Sequence, residues 1–585
     1  MGWVTHKRAS VLRALMSVVA PLTVALPPLF WVADATRRAS LTPLGRDQGI
    51  FQYIAWALSR GVRDYRDVRD VNGPLTHLIH VFFLRLGGAD EHRFRLLDLA
   101  VTTLAFAFVG ACLPGVLARP GRAARRVTLT ERAGWALASW VVLSAQYLAY
   151  VYWDLAQRES FFDWFMLSSV ALQLVAQSPT RARSGEDGAK RHSRLLYVVG
   201  ALSVIPWFGK PTYVLFTFVQ LLTLAIDRDI RLPGLARFRA FGIGAAVAAA
   251  SQLVLLAIYG DLGAYARIAF VDVPAMYRFI WPRAAFEIFS QQWFASDAIF
   301  GITGGVTIVG LIAHGQLPRR ALAVALVPAC GLLSVIAQAK GFPYHFHPVT
   351  AGIALQWIVL VAWLWETCRA LPRRRALARA LPFVASACLA LRVATEMEDS
   401  PHIKDTWIVE GGATPELRET PEYFAGFPEP DYFPWDMRLA AEYLRAHTEP
   451  AERVQTYGMD PYVLFLAQRL SATPYIYVYD LDADAALTGG TGAVPDDEQQ
   501  GRIRAIRDAH ERDMLARLQL DPPAAFVFLD RSPLMSVPDA WADFAMHCPS
   551  SATWVSGMYR EAAVFGADHV WMRRDRAQPK GAASP

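Results

Sequence analysis

The sequence predicts a polytopic α-helical membrane protein that carries a C-terminal α/β domain outside the membrane. Long apolar runs recur through residues 1–394, and 54% of the 585 residues are hydrophobic. Arginine clusters occupy the short segments between these runs, as the positive-inside rule requires. From residue 395 onwards the composition is that of a soluble domain. We therefore predict about 11 membrane spans in residues 1–394 and a soluble domain in residues 395–585.

The predicted spans follow one another through short polar connections. The first, at residues 11–33, is longer than the apolar region of a typical signal peptide and is predicted to remain as an anchor. The run 195–226 is interrupted at Gly209-Lys210-Pro211, which predicts either two short spans or one bent pair. The other predicted spans are 93–118, 133–152, 161–177, 240–259, 298–314, 321–338, 348–367 and a short run at 380–393.

Two apolar stretches of the first outer loop, residues 34–92, are too short to cross a bilayer. Residues 50–58 and 75–86 are apolar on one side, which predicts interfacial helices that lie on the membrane surface. In the C-terminal domain, helices and strands are predicted to alternate. The predicted helices are 435–447, 461–470 and 496–518, and the predicted strands are 453–458, 475–479 and 524–529.

The positive-inside rule also predicts the orientation of the chain. If the N-terminus is cytoplasmic, the Arg-rich short loops are cytoplasmic too, with Arg37 and Arg38 as the exception. The first outer loop, the loop 260–296 and the C-terminal domain then lie on the opposite face. In a bacterium this places the protein in the inner membrane with a periplasmic C-terminal domain.

Charge and cysteine content exclude other classes. The formal net charge of +6 comes from basic residues between apolar runs, which argues against nucleic-acid binding. The five cysteines form no disulfide framework. No C-x-x-C or H-x-x-x-H spacing occurs, so no metal site is predicted. The sequence assigns no cofactor and leaves a divalent cation open.

Candidate functional residues converge on the predicted outer face. The first outer loop contains Asp47 beside Arg46, with Asp67, Asp70 and Asn72 as further candidates. Later outer segments contribute Arg158, Glu159, Lys210, Lys340, His345 and His347. A carboxylate can take a proton from an acceptor hydroxyl, and cations can stabilise charge that builds on a phosphate leaving group.

Each candidate also has a structural interpretation. Asp47 and Arg46 suit an ion pair at the membrane surface, and Arg158-Glu159 suits an exposed salt bridge. Lys210 is also consistent with a simple break between helices, with its long side chain extended to the membrane surface. The loop carboxylates Asp64, Asp67 and Asp70 suit solvated charges.

The first outer loop carries a resemblance to a known family. Asp47-Gln48-Gly49, followed by Tyr65-Arg66-Asp67 and Asn72-Gly73-Pro74-Leu75, resembles the first outer loop of GT-C-fold glycosyltransferases. The similarity is to the bacterial branch related to protein O-mannosyltransferases and aminoarabinose transferases, and in layout it covers residues 10–390. It implies a GT-C-like fold and a hexosyl- or pentosyltransferase that uses a polyprenyl-phosphate-linked sugar.

The resemblance implies roles for the candidates. Asp47 is expected to be catalytic together with Glu159, and the later basic residues are expected to bind the donor phosphate. Two positions depart from the family pattern. Asn72-Gly73-Pro74 stands where the aminoarabinose branch often has a Lys before a Pro pair, and Arg158-Glu159 stands where the mannosyltransferase branch has Asp-Glu.

The lipid tail of the donor is expected to lie in a groove between spans. The acceptor is expected to be an extracytoplasmic glycan, lipid or protein, and the transfer to invert the anomeric carbon. One alternative is a transporter or flippase of a lipid-linked glycan, which predicts ionisable residues in the middle of spans. Another is a non-enzymatic envelope assembly protein. Most ionisable residues lie at span ends, which favours the enzyme.

Overall fold

The structure is a computed structural model that describes residues 2–117, 127–178, 186–227, 234–290, 292–368, 376–404 and 414–576. The chain forms two compact units. The membrane unit comprises Met1–Thr42, Glu91–Leu253 and Phe286–Gly412. The sheet unit comprises Pro43–Asp90, Val254–Ala285 and Ala413–Pro585. The predicted boundary between residues 394 and 395 separates membrane-spanning from soluble sequence. The division into compact units does not test it, so it stays a prediction.

The membrane unit consists of long helices at the predicted spans. Among the described residues, seven helices are long and apolar enough to cross a membrane, so the chain is a multi-pass membrane protein. The long helices begin and end at Gly2–Ala39, Glu91–Cys112, Leu129–Leu148, Arg158–Ala176, Glu186–Val204, Val214–Ile226, Gly234–Tyr259, Gln292–Ala313, Leu322–Gln338, His347–Cys368 and Ala376–Glu398.

The interrupted run at 195–226 is resolved into two helices, Glu186–Val204 and Val214–Ile226. Between them the chain makes the 3₁₀ turns Ile205–Phe208 and Pro211–Tyr213. Each turn has a proline at its first or second position, and proline lacks the amide hydrogen that a continuous helix needs. The break places Lys210 in an extended connection between the two turns.

Small residues allow close helix packing in the membrane unit. Gly200 lies so close to the helix Gly234–Tyr259 that a Cβ there would lie 2.0 Å from the carbonyl oxygen of Phe241. Small residues let the backbones of two membrane helices come close together. Such close packing drives association, because large apolar side chains contact lipid as favourably as they contact another helix.

In the sheet unit, the first outer loop forms the helices Arg46–Ser59 and Pro74–Gly87, as predicted. Residues 48–58 of the first helix are all buried within the protein, and its location on the membrane surface stays a prediction. The second exposes the large apolar side chains Phe82 and Leu86 and fits the prediction. Proline at its first position favours the start of this second helix.

Arg69 joins three segments of the sheet unit. Its guanidinium lies 2.6 Å from a carboxylate oxygen of Asp480 in the C-terminal domain and 2.9 Å from one of Asp272. All three side chains are largely buried, and each carboxylate keeps a charged partner. The first outer loop, residues 254–285 and the C-terminal domain therefore share one ion-pair network.

The C-terminal part contains a four-stranded sheet in the order β1-β2-β4-β3. β1 (Val454–Tyr457) and β2 (Ala525–Leu529) pair in parallel. β3 (Tyr559–Phe565) and β4 (Asp568–Arg573) form an antiparallel hairpin, and β4 also pairs antiparallel with β2. The surrounding helices are Pro434–His447, Tyr462–Ala467, Asp497–Leu520, Ala540–His547 and Pro549–Met558.

The predicted strands at 453–458 and 524–529 are confirmed, as are the three predicted helices. The predicted strand at 475–479 is wrong. Residues 475–483 are all buried, so the alternating tyrosines do not mark one covered face and one solvated face. The chain instead makes the 3₁₀ turn Val478–Asp480, and the amide of Val478 donates to the carbonyl of Gly458 at 2.8 Å.

Candidate active site

Glu159 is the centre of a charged cluster in the membrane unit. It lies in the first turn of the helix Arg158–Ala176, where the helix dipole favours a carboxylate, and its side chain is fully buried. Arg158 Nε lies 3.8 Å from Glu159 Oε2, and His345 Nε2 lies 3.7 Å from Glu159 Oε1. A buried carboxylate needs such partners, because an unpaired charge away from water is costly.

Lys210 reaches the same carboxylate from the break between the two short helices. Proline at the following position disfavours helical geometry at Lys210, which is extended at φ −148° and ψ 119°. Its Nζ donates hydrogen bonds to Glu159 Oε1 and to the side-chain oxygen of Gln338. Lys210 is therefore held by the ends of two different helices.

The segment after the helix Leu322–Gln338 adds two further basic groups. Ala339 ends the helix in the left-handed conformation at φ +53°, and Lys340 follows it. Lys340 is only 6% exposed, and burial lowers its pKa to about 8. The His345 side chain interacts electrostatically with three positive charges, those of Lys210, Arg158 and Lys340.

Tyr344 orients Arg158. Its hydroxyl oxygen accepts a hydrogen bond of 3.0 Å from Arg158 Nη2, and its ring centroid lies 5.4 Å below the guanidinium carbon. This combined hydrogen bond and cation–π contact fixes the plane of the guanidinium.

We use the name basic cluster for Arg158, Lys210 and His345, which face Glu159, together with Lys340, whose charge acts on His345. Asp163, also buried, stands one turn further along the helix, and its oxygens accept no hydrogen bond within the described part of the chain. At neutral pH, and even with Asp163 ionised, the three basic side chains Arg158, Lys210 and Lys340 outnumber the two carboxylates. The basic cluster therefore has a positive excess in a largely buried setting, which favours an anion.

His347 is placed differently from His345. Its Nε2 lies 2.8 Å from the backbone carbonyl oxygen of Asp154, and its ring packs against that of Tyr150 at a tilt of 30°, with centroids 3.9 Å apart. Among the described residues, no hydrogen bond or ion pair joins His347 to Glu159, although the charge of Glu159 acts on it. Its predicted contact with the donor phosphate stays a prediction.

Asp47 lies in the sheet unit, in the first turn of the helix Arg46–Ser59, and is half-buried. Gln48 closes the start of this helix, because its side-chain oxygen accepts a hydrogen bond of 2.9 Å from the backbone amide of Gly45. A Cβ at Gly49 would lie 2.8 Å from Cγ of Tyr462, so glycine allows the tyrosine ring to pack against the helix. The sequence Asp47-Gln48-Gly49 therefore combines a helix start with a tight packing contact.

Arg46 anchors this helix start to the C-terminal domain. Its Nε donates to Asp460 Oδ1 at 2.8 Å, and its backbone amide donates to Glu429 Oε2 at 3.2 Å. Burial raises the pKa of Glu429 to about 8, against the opposing effect of Arg46, and the charge of Asp47 contributes to the rise. Arg46 therefore contacts Asp460 and Glu429 of the C-terminal domain, whereas the structural interpretation from sequence was an ion pair with Asp47 at the membrane surface.

Asp64 and Asp70 are not solvated, contrary to the structural interpretation from sequence. Both are buried on either side of His77, whose Nδ1 lies 2.7 Å from Asp64 Oδ2 and whose Nε2 lies 2.8 Å from Asp70 Oδ2. Burial alone lowers the pKa of His77, but the two carboxylates outweigh it and raise the pKa to about 10. His77 is therefore an imidazolium that pairs with two buried carboxylates, and its single positive charge offsets one of them.

The remaining loop candidates have local structural contacts. Asn72 donates to Asp70 Oδ1 from its backbone amide at 3.1 Å and from its side chain at 2.8 Å. Asp67 pairs with Arg66 at 2.8 Å in a half-exposed position. These contacts shape the loop that follows Asp47.

Sequence reasoning missed several members of these sites. Gln338 accepts a hydrogen bond from Lys210, and Tyr344 accepts one from Arg158. Both residues are uncharged, so the sequence offered no reason to select them. Asp163 had a readable signal, because the spacing of Glu159 and Asp163 places two carboxylates on one face of a helix. His77 is distant in sequence from Asp64, so only the folded loop reveals their pairing.

The apolar helices and the similarity to a solved membrane transferase define a multi-pass membrane protein with a GT-C-like fold and a C-terminal domain. The structure is similar to the crystal structure of ArnT from Cupriavidus metallidurans bound to undecaprenyl phosphate, with a TM-score of 0.52 and 12% identity. That similarity covers 96% of this chain and 99% of ArnT, and it shows the fold.

Two further solved structures are similar to a lower degree. ArnT from the same organism in the apo state has a TM-score of 0.49 and 13% identity, over 97% of both chains. The oligosaccharyltransferase AglB from Archaeoglobus fulgidus, in complex with an inhibitory peptide and a dolichol-phosphate, has a TM-score of 0.42 and 11% identity. The match covers 98% of this chain and 75% of AglB. No protein-family model and no curated protein matches the chain.

Proposed function

We propose that the protein is a glycosyltransferase that moves a hexosyl or pentosyl group from a polyprenyl-phosphate donor to an extracytoplasmic acceptor. The observation that carries the proposal is the positive excess of the basic cluster. Arg158, Lys210 and Lys340 are largely buried, and Glu159 is the carboxylate that pairs with the first two. Basic side chains in this arrangement suit a phosphate group, which accepts several charge-assisted hydrogen bonds.

The anchoring of each cation supports this assignment. Arg158 is oriented by Tyr344, and Lys210 is held by Glu159 and Gln338. Side chains that are already fixed stabilise developing charge without reorganising during the reaction. In this proposal Glu159 acts by positioning the cations, and the donor phosphate receives their hydrogen bonds.

The chemical step is a single displacement. An acceptor hydroxyl oxygen attacks the anomeric carbon, the bond between that carbon and the phosphate oxygen breaks, and the configuration inverts. Asp47 takes the hydroxyl proton as general base. The basic cluster stabilises the negative charge that appears on the polyprenyl phosphate as it leaves.

The donor is proposed to be lipid-linked because ArnT, whose fold this chain shares, was crystallised with undecaprenyl phosphate. A polyprenyl chain is apolar, so it can pack against the apolar helices of the membrane unit within the bilayer. The acceptor is a glycan, a lipid or a protein on the outer side. A divalent cation is left open for the leaving phosphate.

The proposed orientation has a cytoplasmic N-terminus and a periplasmic C-terminal domain in the bacterial inner membrane. Residues 43–90, 254–285 and 413–585 belong to one compact unit, which supports their location on one side of the membrane. Arg-rich connections would then occupy the cytoplasmic side.

The proposal is tested by donor turnover in membrane vesicles. Wild-type protein is expected to consume a labelled polyprenyl-phosphate sugar, and Lys210→Met is expected to lose most of this activity. Lys404→Met is the matched control, since Lys404 is 58% exposed and pairs with the exposed Asp399. Size-exclusion profiles show whether each variant is folded.

Equal loss in both lysine variants would contradict a specific role for the basic cluster. Translocation of a lipid-linked glycan without donor consumption would identify a transporter instead. Neither turnover nor translocation, under conditions where a known transferase works, would favour an assembly protein.

A further inference from the structure

A cluster of potential metal ligands lies in the C-terminal domain. Asp543 and His547 stand one turn apart on the helix Ala540–His547, so they share a face. Asp482 follows the 3₁₀ turn Val478–Asp480. One ligand atom from each of these three side chains lies within 4.8 Å of the others, and all three residues are buried.

The side chain of His547 provides a second, independent observation. Its Nε2 lies 3.6 Å from Asp482 Oδ1 and 3.8 Å from Asp484 Oδ2. Both separations are too long for hydrogen bonds, and this buried nitrogen has no hydrogen-bond partner in the described part of the chain. An imidazole nitrogen that faces two carboxylates at such distances is placed to bind a cation between them.

Hydrogen bonds from neighbouring groups hold the carboxylates in position. Asp482 Oδ2 accepts hydrogen bonds of 2.9 Å from both the amide and the hydroxyl of Ser536. Asp543 Oδ1 accepts from the amide of Ser536 at 2.8 Å, and its Oδ2 accepts from the Tyr457 hydroxyl at 2.6 Å. Such bonds orient metal-ligating carboxylates and leave lone pairs for an ion.

The negative charge of the cluster also favours the binding of a cation. Asp482 and Asp543 are fully buried, and Asp484 adds a third, half-exposed carboxylate. Within the described residues, the ion pairs of Asp482 and Asp484 are with His547 alone. Three carboxylates and one imidazole would carry a net negative charge that a dication offsets.

We propose that Asp482, Asp543 and His547, with Asp484 as a fourth ligand, bind a divalent transition metal ion. Zn²⁺ suits the cluster, because four ligands at about 2.0–2.2 Å in tetrahedral geometry lie roughly 3.3–3.6 Å from one another. The distances from His547 Nε2 to Asp482 Oδ1 and to Asp484 Oδ2, 3.6 and 3.8 Å, are close to those separations. The ion joins the helix Ala540–His547 to the segment around Asp482, and its role is structural, independent of the proposed transferase activity.

The test uses the full chain without a histidine tag, purified in detergent and stripped with a chelator. Zn²⁺, Mn²⁺ or Mg²⁺ is added alone, and bound metal per chain and the midpoint of thermal unfolding are measured. We expect one Zn²⁺ per chain and a higher unfolding temperature with Zn²⁺. Mg²⁺ is expected to bind weakly, because it prefers six oxygen ligands.

Two variants locate the site. His547→Gln and Asp484→Asn are each expected to weaken Zn²⁺ binding by about 10- to 100-fold or more. His569→Gln is the control, because both ring nitrogens of His569 already face carboxylates, Glu561 at 2.6 Å and Asp530 at 3.1 Å. Asp484 is half-exposed, so its variant should fold even if His547→Gln does not.

Cobalt provides a readout on the unaltered chain. Co²⁺ in a four-coordinate site gives a visible absorption band, which Zn²⁺ should displace. Wild-type protein that retains no Zn²⁺ and gives no such band would overturn the proposal and leave a simple carboxylate–histidine pair. Binding by His547→Gln and Asp484→Asn equal to that of wild type would also overturn it.

Discussion

Arg46 Nε donates a hydrogen bond of 2.8 Å to Asp460 Oδ1, and this ion pair joins the residue before Asp47 to the C-terminal domain. Both side chains are largely buried, at 13% and 6% exposure. The pair therefore fixes the first turn of the helix that carries Asp47. The C-terminal domain acts in this account as a support for the proposed base.

Asp460→Asn and Arg46→Met are each expected to destabilise the sheet unit. Removing one partner leaves the other charge buried, at a cost on the order of 3 kcal/mol. The double variant should lose less than the sum of the single changes, since no uncompensated charge remains. Denaturant unfolding in detergent measures all three. Fully additive losses would show that the two side chains do not interact.

His77 makes the stability of the sheet unit depend on pH. Its pKa rises from 6.5 in the unfolded chain to about 10 in the fold, so its contribution is complete below pH 6.5 and declines toward pH 10. His77→Gln should lower stability near pH 6, by about 3–5 kcal/mol for a buried partner, and should flatten the profile between pH 6.5 and 10.

His569→Gln is the control for this profile, because His569 is a partly exposed histidine between two carboxylates of the same unit. It should change the stability profile much less than His77→Gln does. An unchanged slope above pH 6.5 in His77→Gln would rule out the imidazolium assignment.

Lys340 predicts an alkaline limit to donor binding. Its pKa is lowered to about 8, so a rise in pH through this value removes one positive charge from the basic cluster. The donor phosphodiester keeps its single charge over this range. We therefore expect the KM for donor to increase by about tenfold or more above pH 8, as a charge-assisted hydrogen bond is lost.

Lys340→Arg tests this assignment with little change in charge at neutral pH. Arginine stays protonated, so the increase in KM above pH 8 should disappear. An identical alkaline limit in wild type and Lys340→Arg would assign the titration to another group.

The predicted topology is tested by reporter fusions. Fusions after Arg126, which lies outside the described residues, and after Glu416 should report the cytoplasm and the periplasm respectively. The prediction rests on the arginine distribution and on the single compact unit that contains residues 413–585. The same compartment for both fusions would contradict it.

The sequence predicted the helices of the membrane unit well, because long apolar runs and arginine-rich connections are local signals. It failed where burial came from tertiary structure. The tyrosines at 475, 477 and 479 alternate as in a strand, yet the whole segment is enclosed. The hairpin of β3 and β4 was missed, since β3 is largely exposed and lacks an apolar face.

The basic cluster shows the same limit. Arg158, Glu159, Lys210, Lys340 and His345 were candidates because they are polar groups at span ends, and the structure brings them together. Their hydrogen bonds to Gln338 and Tyr344 depend on helix packing, which no local pattern encodes. The buried pairing of His77 likewise needed the folded loop.

The central claim is that this chain transfers a sugar from a polyprenyl phosphate with Asp47 as base. The most direct measurement is transfer from labelled donors in membrane vesicles by wild type, Asp47→Asn and Asp399→Asn. Asp399 is an exposed carboxylate paired with Lys404, so its variant controls for loss of a surface charge.

The account predicts turnover by wild type and by Asp399→Asn, and a decrease of about 100- to 10,000-fold in folded Asp47→Asn. Full activity in Asp47→Asn would contradict the assignment of the base. No turnover of any donor by wild type, beside an active control transferase, would contradict the transferase itself.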